Sequence, residues 1–188
     1  MNTGDTAFMI ISAALVFFMT PGLAFFYGGL VRRKNVCNTM MACVAIMGIS
    51  VVMWALFGYS LSFGGNHGGI IGDFRWLGLN GVGMEAGPYA DNIPHLVFCA
   101  FQMMFAMITP ALITGSLVGR MRFKALFLFV ALWSIIVYYP LAHMVWGEGG
   151  FLAAIGSIDF AGGDVVHISS GISAVVLAVI LGRRRGYE

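Results

Sequence analysis

The sequence carries very little charge for a chain of 188 residues. Only 10% of its residues are charged, whereas residues of the apolar set AVILMFWYC make up 60%. A soluble domain covers its surface with about 25% charged residues. The mean hydropathy is +0.90, so the lipid bilayer is predicted to be the main solvent of this chain. The net charge of +2, without a basic run interleaved with aromatic residues, argues against nucleic acid as a partner.

Cysteine is also scarce, and catalytic motifs are absent. The three cysteines, Cys37, Cys43 and Cys99, are an odd number and form no CxxC or Cys/His spacing. We interpret them as small packing residues, which predicts neither a disulfide framework nor a metal site. The sequence has no GxSxG, P-loop or HExxH motif and no paired carboxylates in a plausible cleft. We therefore expect no enzyme activity and no cofactor.

Five long stretches without charge predict five membrane-spanning helices. A helix needs about 20 apolar residues to cross the hydrocarbon core. The predicted helices lie near 7–31, 38–62, 93–119, 125–146 and 163–182. The predicted fold class is therefore all-α: a polytopic membrane protein whose five transmembrane helices form one domain, 6–182.

Nine of the ten basic residues gather in three clusters that predict the orientation in the membrane, and the tenth, Arg75, shares its loop with Asp73, Glu85 and Asp91. The clusters are Arg32, Arg33 and Lys34; Arg120, Arg122 and Lys124; and Arg183, Arg184 and Arg185. Each cluster follows an odd-numbered predicted helix, so the positive-inside rule puts the odd connections in the cytoplasm. The chain is then a multi-pass protein of the cell membrane. Its N-terminus and the glycine-rich loop near 63–92 lie outside, and its basic end, 183–188, is cytoplasmic.

His167 lies inside the fifth predicted helix, where an ionisable side chain is costly. Helical spacing puts Gly171, Ala174 and Ala178 on the same face. These small residues would let another helix or a conduit come close to the histidine. Two interpretations stay open, a residue of a pathway or a neutral histidine that is hydrogen-bonded to a backbone carbonyl.

Asp159 and Asp164 precede His167 at the start of the same predicted helix. A carboxylate at this position suits the helix dipole and accepts hydrogen bonds from free backbone N–H groups. For Asp164 we expect capping together with a loop contact. Asp159 either caps the helix or organises a cation site there, and the sequence does not choose between these roles.

Three aromatic residues form a second candidate site. Phe101 and Phe105 are one turn apart on the third predicted helix, and Trp146 ends the fourth. From spacing alone, a Phe pair is usually packing, and a Trp at this depth is usually an interface-belt residue. The functional alternative is a cation–π site at the outer mouth, where the ring faces attract a small cation.

Three other histidines are weaker candidates. His143 precedes Trp146 by one turn and is expected to make a structural hydrogen bond. His67 is expected to be solvated in the outer loop. His95 follows Pro94 and is expected to serve as a polar cap at a helix start.

Three segments of the sequence carry a resemblance to a known family. They are PGLAFFYGGLVRRKN from Pro21, AHMVWG from Ala142 and DFAGGDVVHISSG from Asp159. Together with five spans and an outside N-terminus, these segments resemble the Amt/Rh ammonium transporter family. The resemblance covers essentially the whole chain.

The resemblance implies a fold of eleven membrane helices, in which two five-helix halves form an inverted repeat about an axis in the membrane plane. This chain would be the N-terminal half. Such proteins form homotrimers with one pore in each subunit, and a PII-type signal protein can plug the cytoplasmic side. A partner histidine, a second gating phenylalanine and a serine of the outer site would lie in the second half.

The resemblance also implies roles for the candidate residues. Phe105 and Trp146 would line an outer ammonium site, and Phe105, with Phe101 nearby, would help to close the pore. His167 would be one of two histidines along an apolar pore. Asp159 would support the recruitment site without necessarily touching the substrate.

The expected function is transport of ammonium or ammonia, with cation recruitment at the aromatic outer site and passage of ammonia along the histidine-containing pore. An alternative is a non-conducting membrane module of the same family, used for sensing or for assembly with full-length subunits. A third possibility is a channel for another small neutral molecule, such as carbon dioxide or water. The combination of Trp146 with Phe105 favours cation recruitment over that third possibility.

Overall fold

The computed structural model describes residues 1–184 and contains five helices that are long and apolar enough to cross a membrane. They are α1, Thr3–Leu30; α2, Val36–Met53 continued by Trp54–Gly58 and Tyr59–Phe63; α3, His95–Leu117; α4, Phe123–Trp133 continued by Ser134–Tyr138 and Tyr139–Trp146; and α5, Gly163–Ile168 continued by Ser169–Leu181. The predicted all-α membrane fold with five transmembrane helices is confirmed. Arg185 and the rest of the predicted basic end from 185 to 188 lie outside the described residues.

The first helix begins earlier than its apolar run. Asn2 caps α1, because its side-chain oxygen accepts a hydrogen bond of 2.8 Å from the backbone N–H of Gly4. Asp5 then lies in the first turn, where a negative charge suits the helix dipole. The helix therefore contains a charged residue that a search for uncharged stretches leaves out.

Three of the five helices contain a π-helical turn: Trp54–Gly58 in α2, Ser134–Tyr138 in α4 and Gly163–Ile168 in α5. Such a turn inserts an extra residue into the helix and changes the direction of the side chains that follow. In α2 the turn ends at Gly58, which packs against Tyr139 of α4. A Cβ atom at Gly58 would lie 2.6 Å from Cζ of the tyrosine ring, so this close approach requires glycine.

The third helix lies at the centre of the bundle and packs against α1, α2 and α5. The stretch 106–111 in its middle is buried throughout. At one end of the bundle, the rings of Trp54, Tyr59 and Phe63 from α2 pack together, with centroids 5.6 to 6.2 Å apart. The core is therefore apolar along α3 and aromatic at that end.

The connection between α2 and α3, residues 64–94, forms two small hairpins rather than an irregular loop. Their strands are β1, Asn66–His67; β2, Ile71–Gly72; β3, Ala86–Gly87; and β4, Ala90–Pro94. We call this connection the long loop and the end of the bundle that carries it the loop end. Three of these strands have only two residues, too few for an alternating apolar pattern, and the five residues of β4, ADNIP, do not alternate, so the sequence gives no signal for them.

A compact turn in the long loop is built around Asp73. Its carboxylate accepts a hydrogen bond of 3.0 Å from the backbone N–H of Arg75 and pairs with Nε of the same residue. Burial opposes ionisation of Asp73, but these hydrogen bonds and one from the N–H of Gly65 prevail, and the pKa of Asp73 falls below its ordinary value. The stabilisation is therefore present at neutral pH and is lost as the pH falls through the lowered pKa.

Replacement of Gly58 by alanine tests the packing between α2 and α4. The new methyl group would overlap the buried ring of Tyr139, and overpacking of this kind costs about 1–3 kcal/mol. The matched control is Gly48→Ala on the same helix, because a Cβ atom there meets nothing within 4 Å. We expect Gly58→Ala to lower the melting temperature of the full-length gene product in detergent and Gly48→Ala to leave it unchanged or raise it. Equal melting temperatures would contradict the packing described here.

Candidate functional site

The three aromatic residues singled out from the sequence lie together at the loop end. The rings of Phe101 and Phe105 on α3 have centroids 5.0 Å apart and meet edge to face at 81°. The ring of Phe105 also meets that of Trp146, the last residue of α4, at 6.0 Å and 64°. All three side chains are half-buried. The helical spacing predicted the Phe pair, and the fold adds Trp146 to it.

His143 lies one helical turn before Trp146 and connects the end of α4 to neighbouring segments. Its side chain is fully buried, and Nδ1 donates a hydrogen bond of 3.1 Å to the backbone oxygen of Ser62 at the end of α2. Its Nε2 lies 3.3 Å from Oδ1 of Asn66 in the long loop. The expected structural hydrogen bond of this histidine is therefore present, and it joins α4 to α2.

His95 does not cap α3 as the sequence predicted. It is buried, and its Nε2 contacts the hydroxyl of Tyr59 at 2.5 Å. The free N–H groups at the helix start are instead satisfied by the long loop, where His95 N–H donates to the oxygen of Glu85 and Leu96 N–H donates to that of Gly83. Because the backbone of the long loop caps α3, the His95 side chain is available to pack in the core. His67 is exposed, as expected.

The carboxylate of Asp159 caps α5. Its Oδ1 accepts from the N–H groups of Gly162 at 2.6 Å and Gly163 at 2.8 Å. Its Oδ2 accepts from those of Asp164 at 2.9 Å and Val165 at 3.0 Å. Both oxygens are thus engaged with backbone donors at the positive end of the helix dipole. Of the two roles left open by the sequence, capping is the one seen in this geometry.

Asp164 makes the expected loop contact but is not a cap. Its Oδ2 accepts a hydrogen bond of 2.8 Å from the hydroxyl of Ser157, in the connection that precedes α5. The two carboxylates at the start of this helix therefore have separate tasks. Asp159 orders the helix terminus, and Asp164 fastens the preceding segment to it.

His167 lies in the π-helical turn that opens α5, and its side chain is exposed on the surface of this chain. Within residues 1–184 the imidazole has no hydrogen-bond partner. The interpretation that His167 is bonded to a backbone carbonyl is therefore not seen among these residues. Gly171 is exposed on the same side, and Ala174 is half-buried. Ala174 lines a cavity of about 260 Å³ between α1, α3 and α5, together with Tyr27 and Leu112. An open cavity therefore lies further along α5 from His167.

Sequence reasoning missed two tyrosines at the loop end. Tyr138 is fully buried in the π-helical turn of α4, next to the rings of Trp133 and Tyr139. Tyr89, in the long loop, bonds to the ends of α2 and α4. Neither residue stands in a motif or periodic pattern, since each owes its environment to contacts between distant segments.

Comparisons with known proteins bear on the family of this chain. The model of the Ammonium Transporter Family matches residues 7–188. An ammonium transporter of Bacillus subtilis is 52% identical over 185 residues, which cover 98% of this chain and 45% of that protein. A putative ammonium transporter of Methanothermobacter thermautotrophicus is 51% identical over 186 residues, with the same two coverages.

The fold has solved counterparts as well. The crystal structure of Mep2 from Saccharomyces cerevisiae superposes with a TM-score of 0.82 at 33% identity, over 97% of this chain and 42% of that one. The chain thus spans a little under half the length of the relatives it matches. A family match over residues 7–188, sequence identity above one half and a shared helical fold together lead to one conclusion: the chain belongs to the ammonium transporter family.

Proposed function

We propose that these five helices form the N-terminal half of a transporter that binds ammonium at Phe105 and Trp146 and passes ammonia along a pore lined by His167. The observation that carries the proposal is the contact between the rings of Phe105 and Trp146, with centroids 6.0 Å apart. Those two side chains come from different helices and remain half-buried. A packing pair would instead be expected to lie within the core.

Aromatic rings suit the recruitment of ammonium for a physical reason. Stripping water from a cation in an apolar environment is costly. The negative faces of Trp and Phe rings compensate part of that cost, by about 0.5–2 kcal/mol per contact. Phe101 packs against Phe105 and would close the pore beneath the site together with it.

His167 supports the second step of the proposed mechanism. Ammonium, unlike a metal cation of similar size, can release a proton and cross an apolar constriction as neutral ammonia. An imidazole without a partner among residues 1–184 is free to hydrogen-bond ammonia and to relay a proton. The cavity that Ala174 lines further along α5 gives the neutral molecule space beyond the histidine.

Asp159 has a supporting role in this proposal. Both of its oxygens are already engaged by the backbone N–H groups of residues 162–165. It therefore acts on the substrate through the position of α5, without touching ammonium directly.

In the proposed transporter, these five helices work together with a second half and with further subunits. A second, inverted five-helix half would supply the partner histidine, the second gating phenylalanine and a serine at the outer site, and three such proteins would form a homotrimer. A PII-type signal protein would bind at the end opposite the loop end. A cleft of about 540 Å³ lies there, lined in part by Arg120, Arg122 and Arg183, and it would attract an acidic partner segment.

Orientation follows from the same basic residues, and we predict that the loop end faces the outside. Cysteines introduced at Asn2 and Met84 should react with a membrane-impermeant thiol reagent added to intact cells, whereas cysteines at Lys34 and Arg122 should not. Both sets should react after the cells are permeabilised, which controls for buried positions. Labelling of Lys34→Cys in intact cells would contradict this orientation.

Trp146→Leu tests the recruitment site in the full-length gene product. Loss of one cation–π contact of about 0.5–2 kcal/mol should weaken the apparent affinity for methylammonium by roughly 2- to 30-fold. The matched control is Trp146→Phe, which keeps an aromatic face and should lose less. The measurement is uptake of labelled methylammonium as a function of its concentration, with folding checked by melting temperature. An unchanged affinity in a folded Trp146→Leu protein would make the residue an interface-belt tryptophan only.

Failure of the wild-type protein to take up methylammonium would favour the non-conducting module.

A further inference from the structure

The segment that follows Trp146 is tied to the long loop at three successive places. The N–H of Glu148 donates to the hydroxyl of Tyr89 at 3.1 Å. The oxygen of Gly149 accepts from Nδ2 of Asn66 at 2.9 Å, and the N–H of Phe151 donates to the oxygen of Gly69 at 2.8 Å. The long loop therefore holds the chain on the far side of Trp146, where α4 has already ended.

These ties matter because the segment is rich in glycine. Three of the four residues that follow Trp146 are Gly147, Gly149 and Gly150. Glycine adopts many backbone conformations at little cost, so a run of this kind does not fix its own geometry. The direction of the chain leaving α4, and with it the last helical residue, depends on the external hydrogen bonds.

Tyr89 is the one side chain of this set that contacts two helices, α2 and α3, as well as the segment that follows α4. Its hydroxyl donates to the oxygen of Phe63 at the end of α2, at 2.9 Å, while it accepts from Glu148 after α4. Its ring stacks on Phe98 of α3, with centroids 5.2 Å apart and planes within 2° of parallel. Phe98 lies about two helical turns before Phe105 on the same helix.

Burial keeps the Tyr89 hydroxyl in its donating form. Removal from water raises the pKa of the Tyr89 phenol above its ordinary value. The proton that bonds to Phe63 is therefore retained throughout the physiological pH range. The two hydrogen bonds of the hydroxyl form a fixed bridge between the ends of α2 and α4.

We propose that Tyr89 is a positioning residue for the aromatic ammonium site, because its hydroxyl ties the segment after Trp146 to the end of α2 while its ring stacks on Phe98 of α3, the helix that carries Phe105. This inference rests on the proposed function and deepens it. Tyr89 does not touch the aromatic site itself, so it acts only through the placement of Trp146.

Tyr89→Phe is the sharpest test, since it removes both hydrogen bonds and keeps the ring stacked on Phe98. Ser60→Ala is a matched control. The hydroxyl of Ser60 also donates to one backbone oxygen, that of Asp73, and accepts from one backbone N–H, that of Trp76, each at 2.9 Å. It fastens the same long loop to α2 but has no bond to the segment after Trp146.

In the full-length gene product, Tyr89→Phe should raise the KM for methylammonium by roughly 2- to 10-fold, the range expected for a lost hydrogen bond. The maximal uptake rate should change little, and Ser60→Ala should leave KM unchanged even if it lowers the melting temperature by a similar amount. An equal rise of KM in both variants would show a general loosening of the loop and would overturn the inference.

A double-mutant cycle shows whether Tyr89 acts through Trp146. In a Trp146→Leu background, Tyr89→Phe should cause no further rise in KM, because the Trp146 ring that Tyr89 positions has already been removed. An additive rise would overturn the inference even if the single variant behaves as expected.

Hydrogen exchange separates this inference from the proposed function. Tyr89→Phe should speed amide exchange across residues 147–151, and Ser60→Ala should not. Wild-type protein that takes up no methylammonium would refute the proposed function, while the exchange comparison would still decide whether Tyr89 holds this segment. Unchanged exchange in the Tyr89→Phe protein would refute the inference alone.

Discussion

The carboxylate of Asp159 determines where α5 begins, because it accepts hydrogen bonds from four consecutive backbone N–H groups, those of residues 162–165. The first N–H groups of a helix have no partner within it, and an unsatisfied group in an apolar environment costs several kcal/mol. One side chain supplies all four acceptor contacts. His167 follows inside the same π-helical turn, so the depth of the candidate pore residue depends on this cap.

Trp146 of the aromatic site, like His167, lies close to a helix terminus that is held by hydrogen bonds. Apolar packing between helices brings little hydrophobic gain in a bilayer, because lipid tails are as apolar as the side chains. Fixed geometry therefore depends on close contacts and hydrogen bonds, such as those of His143 to Ser62 and of Tyr89 to Phe63 and Glu148. Trp146 and His167 both lie next to helix ends, where such bonds concentrate.

The sequence was sufficient for the five spans, since the lack of charge alone marks them, and for the pairing of Phe101 with Phe105 at one helical turn. It could not place Trp146 against Phe105, because that contact depends on how α3 and α4 pack; only the family resemblance joined them. The π-helical turns were missed for the same reason. Gly58 accommodates the ring of Tyr139, and no pattern in the sequence links these two distant positions.

His167→Ala in the full-length gene product tests the proposed pore most directly, with uptake and binding of methylammonium measured in parallel. If the imidazole guides ammonia and relays its proton, maximal uptake should fall by roughly tenfold or more. Binding at the aromatic site should change by less than about twofold, since the paired rings of Phe105 and Trp146 are left intact. Normal uptake and ion discrimination together with a lowered melting temperature would contradict the account and make His167 a structural residue.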